Sequence, residues 1–139
     1  MINADVTRRV VAAFLDQVRS GRAPDRAVEL MAPRVLAHQV HAEHEVTIER
    51  TPADYVEHVR EMQATWGDFS LEVNAFLVDG ARAYVRLTQT GRHLASVDGH
   101  AATGRLVRQI NSVVYHVENG VITQYWMQID RAGLTHQLT

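Results

Sequence analysis

Residues 106–130, LVRQINSVVYHVENGVITQYWMQID, decide the fold. Around Asn119-Gly120, a dipeptide suited to the two left-handed positions of a tight hairpin turn, side chains alternate with the period of two that marks strands. Pairing the arms across that turn puts Gln109, Asn111, Val113, Tyr115 and Val117 on one face with Ile122, Gln124, Trp126, Gln128 and Asp130. The opposite face then holds Ile110, Val114, Tyr125, Met127 and Ile129. Both faces are partly apolar, so both are expected to be covered, one by helices around a hollow and the other by a second copy of the chain.

Working back, Phe69 to Leu77 and Ala83 to His93 form an earlier alternating pair around Asp79-Gly80. A three-residue loop, Asp79 to Ala81, keeps the apolar faces together, with Leu77 opposite Ala83, Ala75 opposite Val85 and Val73 opposite Leu87. His93 then continues the apolar face of its strand. Before these strands the period is helical. Val6, Val10, Phe14 and Val18, with Val11 and Leu15, mark an amphipathic helix that stops near Ser20-Gly21. A short helix is expected from Asp25 to Met31, then a first strand from Val35 to Val40. Thr51-Pro52-Ala53-Asp54 reads as a helix start, and that helix carries Tyr55, Val56, Val59, Met62 and Trp66 to Gly67. Helices followed by a mostly antiparallel sheet give an α+β domain, with the helices on one face of a curved sheet around a conical hollow fit for a small molecule.

The bulk properties narrow the function. A chain of 139 residues is one domain, 1–139, with enough apolar content for a sizeable core. A net charge of −2 without a basic stripe gives no support for nucleic acid. The absence of cysteine excludes disulfides, thiol nucleophiles and thiolate metal sites. The first residues lack the pattern of a signal peptide and no apolar run approaches a membrane span, so a cytoplasmic protein with no membrane partner is expected. His38, His41 and His44 invite a metal reading, but three-residue spacing on a strand throws neighbours to opposite faces, and no metal is expected.

Candidate chemistry gathers on the hairpin. Asp130 is a lone acid beside an aromatic at the end of a strand, and a carboxylate stripped of water is a stronger base, so it is the candidate general base. His93, on an otherwise apolar face, is a candidate proton carrier or enolate donor. Gln109, Asn111 and Gln128 share the expected Asp130 face and either hold that carboxylate or bind substrate. Phe14, Tyr55, Trp66, Tyr115 and Trp126 are core aromatics that would also wall a hollow cone. His58 is expected at the surface.

Gly91-Arg92-His93, Thr103-Gly104-Arg105 and Asn119-Gly120-Val121-Ile122 with Trp126, Asp130, Leu134 and Gln137-Leu138 resemble the pattern of the SnoaL-like polyketide cyclases. These belong to the nuclear transport factor 2-like superfamily, with ketosteroid isomerases and limonene-epoxide hydrolases. Arg92 and Ala102 stand where a threonine and a proline are usual. The resemblance implies a buried aspartate, here Asp130, that removes a proton alpha to a carbonyl so that the enolate closes a ring by aldol attack. It implies no cofactor, because the substrate's own carbonyls spread the charge, and a small apolar ligand. It also points to His38, since relatives often direct a histidine from the first strand into the cavity. Two alternatives stand beside a cyclase or isomerase: a non-catalytic dimeric binding protein, and an epoxide hydrolase, for which Asp130 lacks an acidic partner across the hairpin.

Overall fold

In the computed structural model, which describes residues 3–139, the chain opens with helix α1, Ala4–Ala13. Met1 and Ile2, the start of the segment read for a leader, lie outside the described residues. Asn3 caps α1 by accepting from the main-chain N–H of Asp5 at 2.8 Å, satisfying a donor that the first turn cannot. The helix continues as a wider π-helical turn, Phe14–Arg19, in which Ser20 N–H bonds the Leu15 carbonyl five residues back at 3.1 Å. After a 3-10 turn, Pro24–Arg26, and the four-residue α2, Ala27–Leu30, strand β1 runs over Met31–Gln39. Strand β2, Val46–Arg50, then leads into helix α3, Pro52–Trp66.

α3 starts as its sequence requires. Asp54 N–H donates to Thr51 Oγ1 at 3.1 Å while Thr51 N–H donates to Asp54 Oδ2 at 2.9 Å, a reciprocal capping box with Pro52 at the first helical position. Strands β3, Ser70–Asp79, β4, Arg82–Arg92, β5, Leu106–Glu118, and β6, Val121–Ile129, follow, and helix α4, Arg131–Leu138, ends the chain. The six strands form one sheet in the order β2-β1-β6-β5-β4-β3, with β1 parallel to β6 and every other pair antiparallel. The architecture is α+β, as its sequence predicts. The main core lies between the helices and the inner sheet face, where Val11, Phe14, Val18, Tyr55 and Val59 meet Val35, Val85, Leu87, Val113 and Tyr115. No helix is long and apolar enough to cross a membrane.

A shorter loop at the first hairpin and a β-bulge at the second correct the expected registers. At the first hairpin Asp79 pairs with Arg82, so the loop is Gly80-Ala81, with Gly80 at φ 59°. Phe76 rather than Ala75 therefore faces Val85, and Val78 rather than Leu77 faces Ala83; a shift at Asn74 then restores the expected pair, Val73 with Leu87. At the second hairpin Val117 pairs with Ile122, but His116 pairs with Gln124, because Thr123 is the extra residue. From there on, every side chain of β6 takes the face opposite to the one expected. Tyr125 and Met127 are buried inside, and Trp126 and Gln128 turn to the outer face. The outer surface expected to join two copies is thus not built from Tyr125 and Met127; its exposed apolar residues include Leu36 and Ile110. β2 was not expected, being a short edge strand whose alternation is masked by Glu45 and Glu49.

Candidate functional site

The interior contains a charge that the sequence reading missed. Thr7, Val11, Leu15 and Arg19 follow one another at four-residue steps down the first helix, and all four are buried, Arg19 with only 3% of its surface exposed. An arginine stays protonated at any working pH. Among the described residues Arg19 forms no salt bridge with a carboxylate, and no Asp or Glu is buried with it. Its guanidinium carbon stands 5.6 Å from the centre of the Phe69 ring, and Nη1 has no hydrogen-bond partner. A lone buried cation costs several kcal/mol unless something negative comes to it.

The other donor of that guanidinium leads to the sheet. With its amide turned to satisfy both ends, Asn111 accepts from Arg19 Nη2 at 3.3 Å and donates to the Ile110 carbonyl at 3.1 Å. The main-chain N–H of Asp130 donates to the same carbonyl at 3.0 Å. Beside Asn111 on the inner face lie Gln109 and, across on β4, Gln89; Gln89 is buried and its Oε1 has no partner. Orphaned polar atoms of this kind are rare in protein interiors, so Arg19 Nη1, a donor, and Gln89 Oε1, an acceptor, are each left able to bind a polar group.

Asp130 lies just beyond β6, exposed to solvent, where Oδ1 accepts from Gly133 N–H at 2.9 Å and caps α4. It is not on the inner strand face that the expected register gave it. A Cβ on Gly133 would collide with the Asp130 carboxylate, so any larger residue there would force that side chain to move. The tail of α4 closes the same end of the sheet. Gln137 replaces a neighbouring strand for β5, accepting from Arg108 N–H at 2.9 Å and donating to the Arg108 carbonyl at 2.7 Å. Leu138 packs with Trp66, Phe69 and Val107.

His93 is fully enclosed at this end. Its Nδ1 is 3.1 Å from Thr103 Oγ1, its main chain is bonded to Gly104 and Arg105, and its ring lies 5.7 Å from that of Trp66. Nε2 is buried without a partner. The Thr103-Gly104-Arg105 segment is therefore the clasp that holds this imidazole.

An aromatic wall completes the interior. Phe14 meets Tyr55 at 5.1 Å and Tyr115 at 5.6 Å, and Tyr125 meets Tyr115 at 5.9 Å. Burial pushes the phenols of Tyr55, Tyr115 and Tyr125 upward, so all three are neutral donors near pH 7. His58, expected at the surface, is half-buried and edge-on to Tyr55 at 5.6 Å; burial, followed by Arg50 and Arg19, lowers its pKa to about 4.

Of the sequence candidates, Asn111, Gln109, His93, Tyr115, Tyr55, Trp66 and Phe14 lie on the inner side or in its packed layer. His38, Trp126 and Gln128 do not. His38 stacks on Trp126 at 4.9 Å and 17°, bonded to Thr47 and Gln124, while Arg82 covers Trp126 at 4.9 Å. That assembly is on the outer face: the Thr123 bulge turns Trp126 there, and alternation with the buried Val35 and Ala37 turns His38 there. Among the described residues no group of three side chains is arranged to hold a metal ion. One surface groove runs between Val28, Met31 and Pro33 and the start of α3, and another, lined by Leu15 and Phe69, borders the ring that Arg19 covers. Arg19 could have been found from sequence by extending the buried stripe one step past Leu15.

A six-stranded mixed sheet with helices over its inner face defines the nuclear transport factor 2-like class. Within that class the chain belongs to the SnoaL-like polyketide cyclase family, whose model matches residues 9–138. Its fold is similar to that of a candidate polyketide cyclase from Acidithiobacillus ferrooxidans, at TM-score 0.79 and 21% identity over 99% of this chain and 97% of the other. IdmH, a candidate polyketide cyclase from Streptomyces antibioticus, aligns at TM-score 0.78 and 21% identity over 95% and 97%. An LEH-like epoxide hydrolase from M. tuberculosis aligns at TM-score 0.71 and 18% identity over 97% and 90%. No curated protein matches the sequence.

Proposed function

We propose that this protein is a cofactor-independent acid/base enzyme acting on an apolar carbonyl compound, of the polyketide cyclase or isomerase type. The observation that carries the reading is the unpaired, buried guanidinium of Arg19, hydrogen-bonded to Asn111. When a proton leaves the carbon alpha to a carbonyl, negative charge develops on the carbonyl oxygen. A fixed cation in a water-poor site stabilises that charge more than it stabilises the neutral ketone, and so lowers the barrier.

The base in this proposal is Asp130, which is tied through the Ile110 carbonyl to the Asn111 amide and whose Oδ2 has no partner among the described residues. In the free chain it is solvated; an apolar substrate seated over it would strip water from the carboxylate and make it a stronger base. His93, with a free Nε2, is the second proton carrier. Aromatic side chains supply the apolar walls. Epoxide hydrolysis fits less well, because a second acid would have to protonate the epoxide and no Asp or Glu is buried among the described residues. Solvent deuterium uptake at the alpha carbon of 2-tetralone, followed by proton NMR, tests the proposal. Acceleration over buffer is expected; a ketone that binds without accelerated uptake would leave only a binding protein.

A further inference from the structure

The oxyanion reading uses one of two arginines that reach the interior. Arg50 ends β2, directly across from the fully buried Val35 of β1, and so shares the inner face. Its Nε is buried without a partner, and its guanidinium forms no salt bridge among the described residues. Arg22, Arg26, Arg34, Arg60 and Arg131 each meet a carboxylate at the surface; of the arginines that meet none, Arg19 and Arg50 are the two with a buried guanidinium nitrogen left without a partner among the described residues.

The groups on which both arginines act do not balance their charge. Both guanidiniums act electrostatically on Tyr55, His58 and Tyr125. The two phenols are held protonated by burial and the imidazole is held neutral, so none of the three offsets the two positive charges; the carboxylate that Arg50 also acts on, Asp54, is exposed and engaged in the α3 cap. The two sites also differ in capacity. Arg19 is enclosed, spends Nη2 on Asn111 and has Nη1 free, which suits a single oxygen. Arg50 is only half-buried at the sheet edge and has its whole planar fork free, which suits the two oxygens of a carboxylate.

We propose that the interior takes a carbonyl compound that also carries a carboxylate, with the carboxylate held by Arg50 and the reacting carbonyl by Arg19. The carbonyl half rests on the enolisation reading; the carboxylate half does not. Calorimetry with 2-benzoylbenzoate and anthraquinone-2-carboxylate, each beside its methyl ester, tests it on the intact protein. The acids are expected to bind about tenfold or more tighter than the esters, the usual gain from a charge-assisted pair. Arg50→Gln should erase that preference while leaving ester affinity unchanged, and Arg50→Lys, which keeps the charge, should retain part of it. Acids that bind no better than their esters, or a preference that survives Arg50→Gln, would overturn the proposal. Binding is read without turnover, so an acid preference without deuterium uptake would remove the catalytic reading and leave this one standing.

Discussion

Asp130 and Asn111 are bound to one oxygen. The Ile110 carbonyl accepts the Asp130 main-chain N–H at 3.0 Å and the Asn111 side-chain amide at 3.1 Å. Asn111 in turn accepts from Arg19 at 3.3 Å. The end of β6, the inner face of β5 and the first helix are thereby linked, through the main chain of Asp130 and the side chains of Asn111 and Arg19. Neither partner could be placed by its own strand alone.

Replacing Arg19 by Met separates stability from chemistry. A buried cation without a partner is a burden on the fold, so Arg19→Met is expected to unfold within about 1 kcal/mol of the wild type, or to be more stable. Deuterium uptake should fall by about 100-fold, the usual cost of one oxyanion donor. Urea unfolding and the exchange assay, run on the same sample, check both.

Gly133→Ala should destabilise, although alanine is normally the better helix former. A Cβ at this position collides with the Asp130 carboxylate that caps α4, so the cap must open. The expected loss is about 1 kcal/mol, the usual worth of an N-cap, read by thermal or urea unfolding.

His58 makes stability depend on pH. Its folded pKa of about 4 lies below the ordinary imidazole value of 6.5, so between those limits the unfolded chain binds the proton and the folded chain does not. Stability is therefore fully present above about pH 6.5, falls as pH drops toward 4 and levels off below it; for a half-buried group the slope is at most about 1 kcal/mol per pH unit. His58→Leu should flatten this part of the profile in urea melts taken from pH 7 to pH 4.

The two tryptophans should report differently. Trp66 lies beside His93 in the interior and Trp126 lies on the outer face under Arg82. A quinone-type ligand should quench Trp66, so quenching should persist in Trp126→Phe and be lost in Trp66→Phe, as steady-state fluorescence will show.

The fold was legible because its evidence is local. The Thr51–Asp54 capping box, the Asn119-Gly120 turn and the helical stripe through Phe14 each declare themselves over a few residues. The site was legible only in part, because it depends on a bulge. One extra residue at Thr123 exchanged Trp126 and Gln128 for Tyr125 and Met127 on the inner face, and no turn dipeptide announces such an insertion. Arg19 and Arg50 escaped for another reason. Charged residues are read as solvent-facing by default, and a buried arginine betrays itself only by falling in step with apolar neighbours.

Deuterium uptake by Asp130→Asn, compared with the wild type at saturating 2-tetralone, tests the central claim most directly. The account predicts a loss of about 100-fold or more with ketone affinity unchanged, as removal of a general base produces. Uptake equal to that of the wild type would contradict it, and would reduce Asp130 to the helix cap.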